Sequence, residues 1–263
     1  MIAAPKPNAK GSVMLLLVRF CLFLAAASIG LASAPLSAKA ARALIFSHTS
    51  GYRHASIEPG IAALQALGKR VGVEMVASED PASFSPENLA RFDAIILLSN
   101  TTKMKEASSD YFTPPQRAAF EAFVHRGGGV LGIHAATDSH YFWPWYGRMI
   151  GGRFTSHPKG TPTGTVRVVD RRHASTKRLP PSQSRADEWY YFDDYNPEMN
   201  LLVSLDPASI GEKDVNPNPV SWAHEFEGGR VFYTAMGHTP ESFTEPFFLR
   251  HVEDGLGWVL RRK

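Results

Sequence analysis

The histidines and acids of this chain fall at a few places where their spacing could do chemistry. Gly127-Gly-Gly-Val-Leu-Gly-Ile-His134-Ala-Ala136 runs a short apolar stretch, Val130 to Ile133, into a small-residue turn and presents one functional side chain where a buried strand ends. That is the layout of a nucleophile elbow, in which the presented residue is Ser or Cys because it must attack a carbonyl. Here it is His134, so the position is kept for chemistry and the reagent has changed. His48 and His54 stand in His48-Thr-Ser-Gly-Tyr-Arg-His54 after a first apolar run, His157 in Phe154-Thr-Ser-His-Pro158, and His238 after Val231-Phe-Tyr-Thr-Ala-Met-Gly. Neutral imidazole is the commonest metal ligand and a natural acid or base near neutral pH, so a convergent set implies one of those two tasks. No short ligand motif such as His-Glu-x-x-His decides between them.

Carboxylates extend the set. Asp138 follows His134 by four residues, which on a helix after the elbow puts both on one face, one turn apart. Asp187-Glu188 directly precedes Trp-Tyr-Tyr191. Acids beside an aromatic cluster point to a carboxylate at a partly apolar pocket, where its pKa would rise for acid–base work. Trp143, Trp145, Tyr146, Trp189, Tyr190 and Trp222 are numerous enough for core packing and also suit stacking against a sugar ring. His125, His173 and His251 read as surface residues from their helix-face, loop or terminal contexts.

Strands alternating with helices must position these groups. Arg42 to Ser47, Val73 to Ala77, Asp93 to Ser99 and Val130 to Ile133 read as buried strands. Ile57 to Val71, Ser85 to Phe92 and a segment opened by Thr113-Pro-Pro read as the helices between them. The second half is less regular: Thr165 to Val169, Leu201 to Leu205, Val220 to Phe226 and Arg230 to Ala235 read as strands, with Glu227-Gly-Gly-Arg230 as a hairpin turn. Arg171 to Arg185 reads as loop and Phe243 to Leu260 as a closing helix. The expected fold is α/β, a doubly wound, mostly parallel sheet of the flavodoxin-like kind with antiparallel strands added in the second half. Such sheets bind ligands outside the carboxyl ends of their strands, which is where four histidine-bearing segments fall, those of His48 and His54, of His134, of His157 and of His238.

Residues 1–40 read as a secretory signal peptide: Lys6, Lys10 and Arg19 accompany an apolar segment from Val13 to Ala32, and Ala38-Lys39-Ala40 supplies a small-x-small cleavage site. Cleavage after Ala34 would put Pro35 just past the cut, and an uncleaved anchor would have Arg19 inside an already short span. Removal leaves 24 of the 28 Lys and Arg against 25 Asp and Glu, so the basic balance belongs to the leader and no nucleic-acid footprint remains. It also removes Cys21, the one cysteine, and with it disulfides and every thiol mechanism. The rest, residues 41–263, suits one α/β domain, periplasmic or secreted, off the membrane once the signal is cleaved; a homo-oligomer is left open.

Five spaced stretches now carry a resemblance: His48 through Gly51 to Arg53-His54, Gly132-Ile-His134-Ala-Ala with Asp138, Tyr146 through Phe154 to His157, Asp187-Glu188 with Tyr190, and Gly237-His238. Together they resemble the trehalose-utilisation, ThuA-like family, whose fold is that of class I glutamine amidotransferases. Where those amidotransferases carry Cys in a Gly-x-Cys-x-Gly elbow, this chain has His134, with Ala136 in place of the second Gly; where their triad His precedes Pro-Glu, it has His238-Thr-Pro240-Glu241. Glutamine hydrolysis through a thioester is thereby ruled out.

The resemblance implies sugar metabolism, on a disaccharide or a glycoside oxidised at C3 to a ketone. A C3 carbonyl acidifies the C2 proton, so a base can remove it and the C1 substituent can leave. On this reading His134, His157 and His238 bind one divalent transition metal or stabilise an enolate, Glu188 or Asp138 moves the proton, and His134 and His238 count among the catalytic groups. Substrate binding falls to His48, Arg53, His54, Trp143, Tyr146, Tyr190 and Trp222. The implied activity is that of a hydrolase or lyase on a small sugar, without a nucleotide cofactor; a sugar-binding module without catalysis and an accessory protein are the alternatives.

Overall fold

The computed structural model describes residues 40–213 and 218–262. The signal peptide expected over residues 1–40 lies, but for its last residue, outside the described residues. In chain order the first half runs β1 (Ala41–Phe46), α1 (Ile57–Val71), β2 (Val73–Ser78), α2 (Pro86–Leu89), β3 (Ala94–Leu98), α3 (Pro114–His125), β4 (Gly129–Ile133) and α4 (Pro144–Ile150). The second runs β5 (Arg153–Ser156), β6 (Thr163–Val168), β7 (Ser182–Ala186), β8 (Tyr191–Asp193), β9 (Asn200–Asp206), β10 (Pro219–Phe226), β11 (Gly229–Thr234) and α5 (Pro246–Val259).

Nine strands form one sheet in the order β2-β1-β3-β4-β11-β10-β9-β6-β7. The first five are mutually parallel and the last four join by antiparallel pairing. This is the expected doubly wound, mostly parallel sheet with an antiparallel extension. Every residue of β3 and β4 is buried, which is why these strands are apolar end to end rather than alternating. Adjacent residues of β11 point to opposite faces: Phe232 meets His251 of α5, while Tyr233 stacks on Trp222 of β10. α1 ends at Gly72, left-handed at φ 67°, with Lys69 and Arg70 in its last turn. Thr113 and Gln116 form a capping box at the start of α3. Glu227 and Gly228 both take positive φ, the two-residue turn that a tight β10–β11 hairpin requires.

Four expectations change. Part of Arg171 to Arg185, read as loop, is β7, an edge strand too polar to show an apolar pattern. A separate two-stranded sheet, β5 with β8, has strands of four and three residues, below the length at which periodicity is visible. The closing helix starts at Pro246, after a 3-10 turn over Pro240–Thr244. His251 is fully buried rather than on the surface, because α5 sets it on the face of Phe247, Phe248 and Val252, where its ring nitrogens meet the Ser175 carbonyl and the Ser221 hydroxyl. No helix among the described residues is long and apolar enough to cross a membrane.

Candidate metal centre and its cavity

The parallel strands deliver three histidines to one point. His54 comes from the loop after β1, His134 from the end of β4 and His238 from the loop after β11; Glu188, from the connection between β7 and β8, joins them. One ligand atom from each lies within 4.8 Å of the others. His134 occupies the elbow itself, with φ of 50° in the left-handed region, and the close turn below it is made possible by Gly132, where a Cβ would stand 2.6 Å from Ile150. Gly237, at φ 112°, turns the chain so that His238 faces inward.

Hydrogen bonding fixes the state of these rings. His134 Nδ1 lies 2.8 Å from the Ala235 carbonyl, which can only accept, so Nδ1 carries a proton and Nε2 is the ring atom turned toward the cluster. Nε2 is 3.0 Å from His238 Nδ1, 3.5 Å from Glu188 Oε2 and 3.0 Å from the Tyr190 hydroxyl. His238 Nδ1 is 3.2 Å from Glu188 Oε2, and His157 Nδ1 is 3.2 Å from Glu188 Oε1. His54 is buried, and its Nδ1 has no hydrogen-bond partner.

The donors fit a cation. A tetrahedral ion with bonds of about 2.1 Å holds its ligand atoms about 3.4 Å apart, close to the separations among His134, His238 and Glu188. Three imidazoles and one carboxylate suit zinc and its transition-metal neighbours rather than calcium or magnesium. His54, whose buried Nδ1 has no hydrogen-bond partner, adds a third imidazole to the group. Of the three histidines expected from sequence as metal ligands, His134 and His238 belong to this candidate group, together with His54, read there as a substrate contact; His157 lies outside it and touches Glu188 from the far side.

Electrostatics divide the two carboxylates. Burial would raise the Glu188 pKa, but hydrogen bonds and charge from His134 and His238 outweigh it and hold Glu188 below the usual carboxylate range. This corrects the expectation that the acid beside the aromatic cluster is the raised one. Asp138 is raised instead, to about 6, by burial first and the nearby Glu188 charge, against the lowering effect of the Tyr141 hydroxyl, 2.5 Å from its Oδ1. Asp138 closes a 3-10 turn over His134–Thr137 rather than sitting one α-helical turn along, and it lines the cavity all the same. Burial first, and then His134 and His238, push His54 down to about 2, so this ring stays neutral. For His238 burial works against charge, but the Glu188 hydrogen bond and the charges of Glu188 and Asp187 prevail and raise it.

A cavity of about 350 Å³ opens over the cluster, lined by Tyr52, His54, Asp138, Phe154, His157, Glu188, Tyr190 and His238. Tyr52, 66 % exposed, stands on a loop whose conformation is fixed by Thr101, whose hydroxyl donates to the Tyr52 carbonyl. Five residues read from sequence as substrate contacts do not line this cavity. Trp143 stacks on Trp145 in the core, the Tyr146 hydroxyl donates to the buried Ala136 carbonyl, and Trp222 donates to the Ile150 carbonyl from full burial. Arg53 pairs with Glu58 and Glu79, and His48 binds the Glu79 carbonyl beside Tyr111.

The sequence reading set Asp187 beside Glu188 before the aromatic cluster but gave it no role of its own. Fully buried, it accepts from the backbone N–H groups of Glu188, Gly237 and His238 at 2.9 to 3.1 Å and pairs with Arg185 at 3.1 Å. One carboxylate thus ties together the two loops that carry Glu188 and His238, in the manner of the groups that orient metal ligands.

The Asp138 value sets a pH test. A raised acid costs stability when ionised; that cost is absent below the ordinary value near 3.8 and grows as pH rises through about 6. Asp138→Asn removes a penalty on the order of 2 kcal/mol, so in chelator the variant should melt about 5 °C higher than the parent at pH 8 and level with it at pH 3.5. Equal melting temperatures at both pH values would remove the basis for this assignment.

Such a sheet with a ligand cluster at its carboxyl edge defines a class I glutamine amidotransferase-like fold whose elbow presents histidine. The family model described as ThuA, trehalose utilisation, matches residues 42–259, and the chain belongs to that family. A ThuA-like protein from Bacteroides uniformis is 25% identical, with a TM-score of 0.68 over 83% of this chain and 91% of that one. A second, from Parabacteroides merdae, is 17% identical, with a TM-score of 0.67 over 84% and 90%. The PurLQS structure from Thermotoga maritima shares the fold at 14% identity and a TM-score of 0.50, covering 84% of this chain and 98% of that one. Comparison with curated protein sequences returns no match.

Proposed function

We propose that this protein is an exported enzyme of sugar metabolism that cleaves a disaccharide or a 3-keto-glycoside, with a divalent transition metal held by His54, His134, Glu188 and His238. The observation that carries the reading is one cavity bordered on one side by His54, Glu188 and His238 of that donor set and by Asp138, and on the other by Tyr52, Phe154 and Tyr190, with His134 buried behind it. Aromatic faces beside polar groups suit a sugar ring, and the trehalose-utilisation family supports the same substrate class.

A bound ion would supply Lewis-acid polarisation of a substrate carbonyl. The protein's own groups do the rest. Asp138, poised near neutrality by its burial, removes the C2 proton of a 3-keto sugar; the C2 electron pair forms the enolate, and its collapse breaks the C1–O bond. The protonated Asp138 then returns the proton to the departing oxygen. Tyr141 orients Asp138 through its Oδ1, and Glu188, held ionised between His134 and His238, serves the ion rather than the proton. With His134 at the elbow and no cysteine after residue 21, thioester chemistry has no nucleophile.

Release of the leaving sugar from a 3-keto disaccharide, followed by NMR with metal-supplemented protein, tests the reading. The parent should cleave it, and Asp138→Asn should lose at least about 100-fold in kcat with little change in KM. Absence of cleavage of both the oxidised and the unoxidised sugar, or full activity in the variant, would overturn it.

A further inference from the structure

Tyr190 places its hydroxyl on the one atom that ion binding most needs. His134 Nδ1 is committed to the Ala235 carbonyl, so the lone pair open to a cation is on Nε2; the Tyr190 hydroxyl stands 3.0 Å from it, as does His238 Nδ1, itself a candidate ligand that also lies 3.2 Å from Glu188 Oε2. A phenol is the donor in that contact, because the unprotonated nitrogen can only accept. Among the described residues this is the one hydrogen bond recorded for the Tyr190 hydroxyl. The ring is 7 % exposed, lies 4.2 Å from that of Phe154 and 4.5 Å from that of His134, and lines the cavity. A cation and the hydroxyl cannot both hold the lone pair.

Resting on the metal-binding reading above, we propose that Tyr190 is a displaceable occupant of the ligand site: its hydroxyl holds the His134 lone pair until a cation takes it, and the displaced hydroxyl then donates a hydrogen bond to an oxygen of the sugar in the same cavity. The residue therefore acts in two opposed ways. It weakens ion binding by the value of one hydrogen bond, and it strengthens sugar binding only when the ion is present. An ordinary structural tyrosine would do neither, since loss of its hydroxyl would weaken every property of the site together or none.

Tyr190→Phe deletes one oxygen and keeps the ring against Phe154, so the fold is retained, and equal melting temperatures in chelator check this. The probes are zinc(II) alone, titrated calorimetrically into metal-free protein, and then trehalose titrated into the zinc-loaded and zinc-free forms. The expected result is zinc binding about 3- to 10-fold tighter in Tyr190→Phe than in the parent, the equivalent of one neutral hydrogen bond. Sugar binding should be weakened by a similar factor in the zinc-loaded variant and unchanged in the zinc-free one. Equal or weaker zinc binding by the variant, with the parent binding zinc, overturns the role given to Tyr190 and leaves the metal centre standing. Absence of zinc binding in both proteins overturns the metal centre itself and this inference with it.

Discussion

Replacing His134 by alanine should abolish ion binding while the sheet stays folded. Of the four candidate ligands His134 alone is fully buried, and its Nδ1 proton is fixed by the Ala235 carbonyl. Loss of a group that merely supports a ligand costs 10- to 100-fold in affinity, so loss of the ligand should cost at least about 100-fold. The residue's φ of 50° adds strain for alanine, and asparagine, which tolerates the left-handed region better, is the companion variant. Both should leave the far-ultraviolet circular dichroism unchanged and bind zinc(II) at least about 100-fold more weakly by calorimetry. Parent-like affinity in His134→Asn would remove His134 from the ligand set.

The second large effect is expected at Asp187, which touches no cavity. Asp187→Ala strands Arg185, whose side chain is only 3% exposed, and leaves three buried N–H groups without their acceptor. Removing one partner of a buried ion pair costs about 3–5 kcal/mol, or roughly 10 °C in melting temperature for a domain of this size. Glu245 and Ser242 still meet Arg185, which favours the lower end. Asp187→Asn keeps an acceptor for some of the N–H groups and should melt closer to the parent, yet bind the ion about 10-fold more weakly because Glu188 and His238 lose their common anchor. A variant that melts far lower but binds the ion as the parent does would show that Asp187 serves the fold alone.

The legible part of this molecule was its parallel half. β1, β3 and β4 are continuous apolar runs because both faces are covered, and the turn chemistry at Thr113 and at Glu227-Gly228 is local. β5, β7 and β8 are short or polar and exist through partners distant in sequence, so nothing local announced them. At the site, strand-end position was enough to find His54, His134 and His238. Roles were harder. Arg53 adjoins His54, yet its side chain turns out to Glu58 and Glu79 while the imidazole turns in. Trp143, Tyr146 and Trp222 have the composition of a sugar platform and the burial of a core, and burial is settled by neighbours such as Trp145, Asn100 and Tyr233. Likewise, the raised carboxylate is Asp138 and not Glu188, because two imidazoles from other strands reach Glu188.

The most direct test of the metal centre is the metal content of residues 41–263, expressed without a histidine tag and analysed by elemental mass spectrometry. The arrangement of His54, His134, Glu188 and His238 predicts one transition-metal ion per chain, absent from His134→Asn prepared in the same way. Metal-free protein even after incubation with zinc(II), manganese(II) or nickel(II) would contradict it.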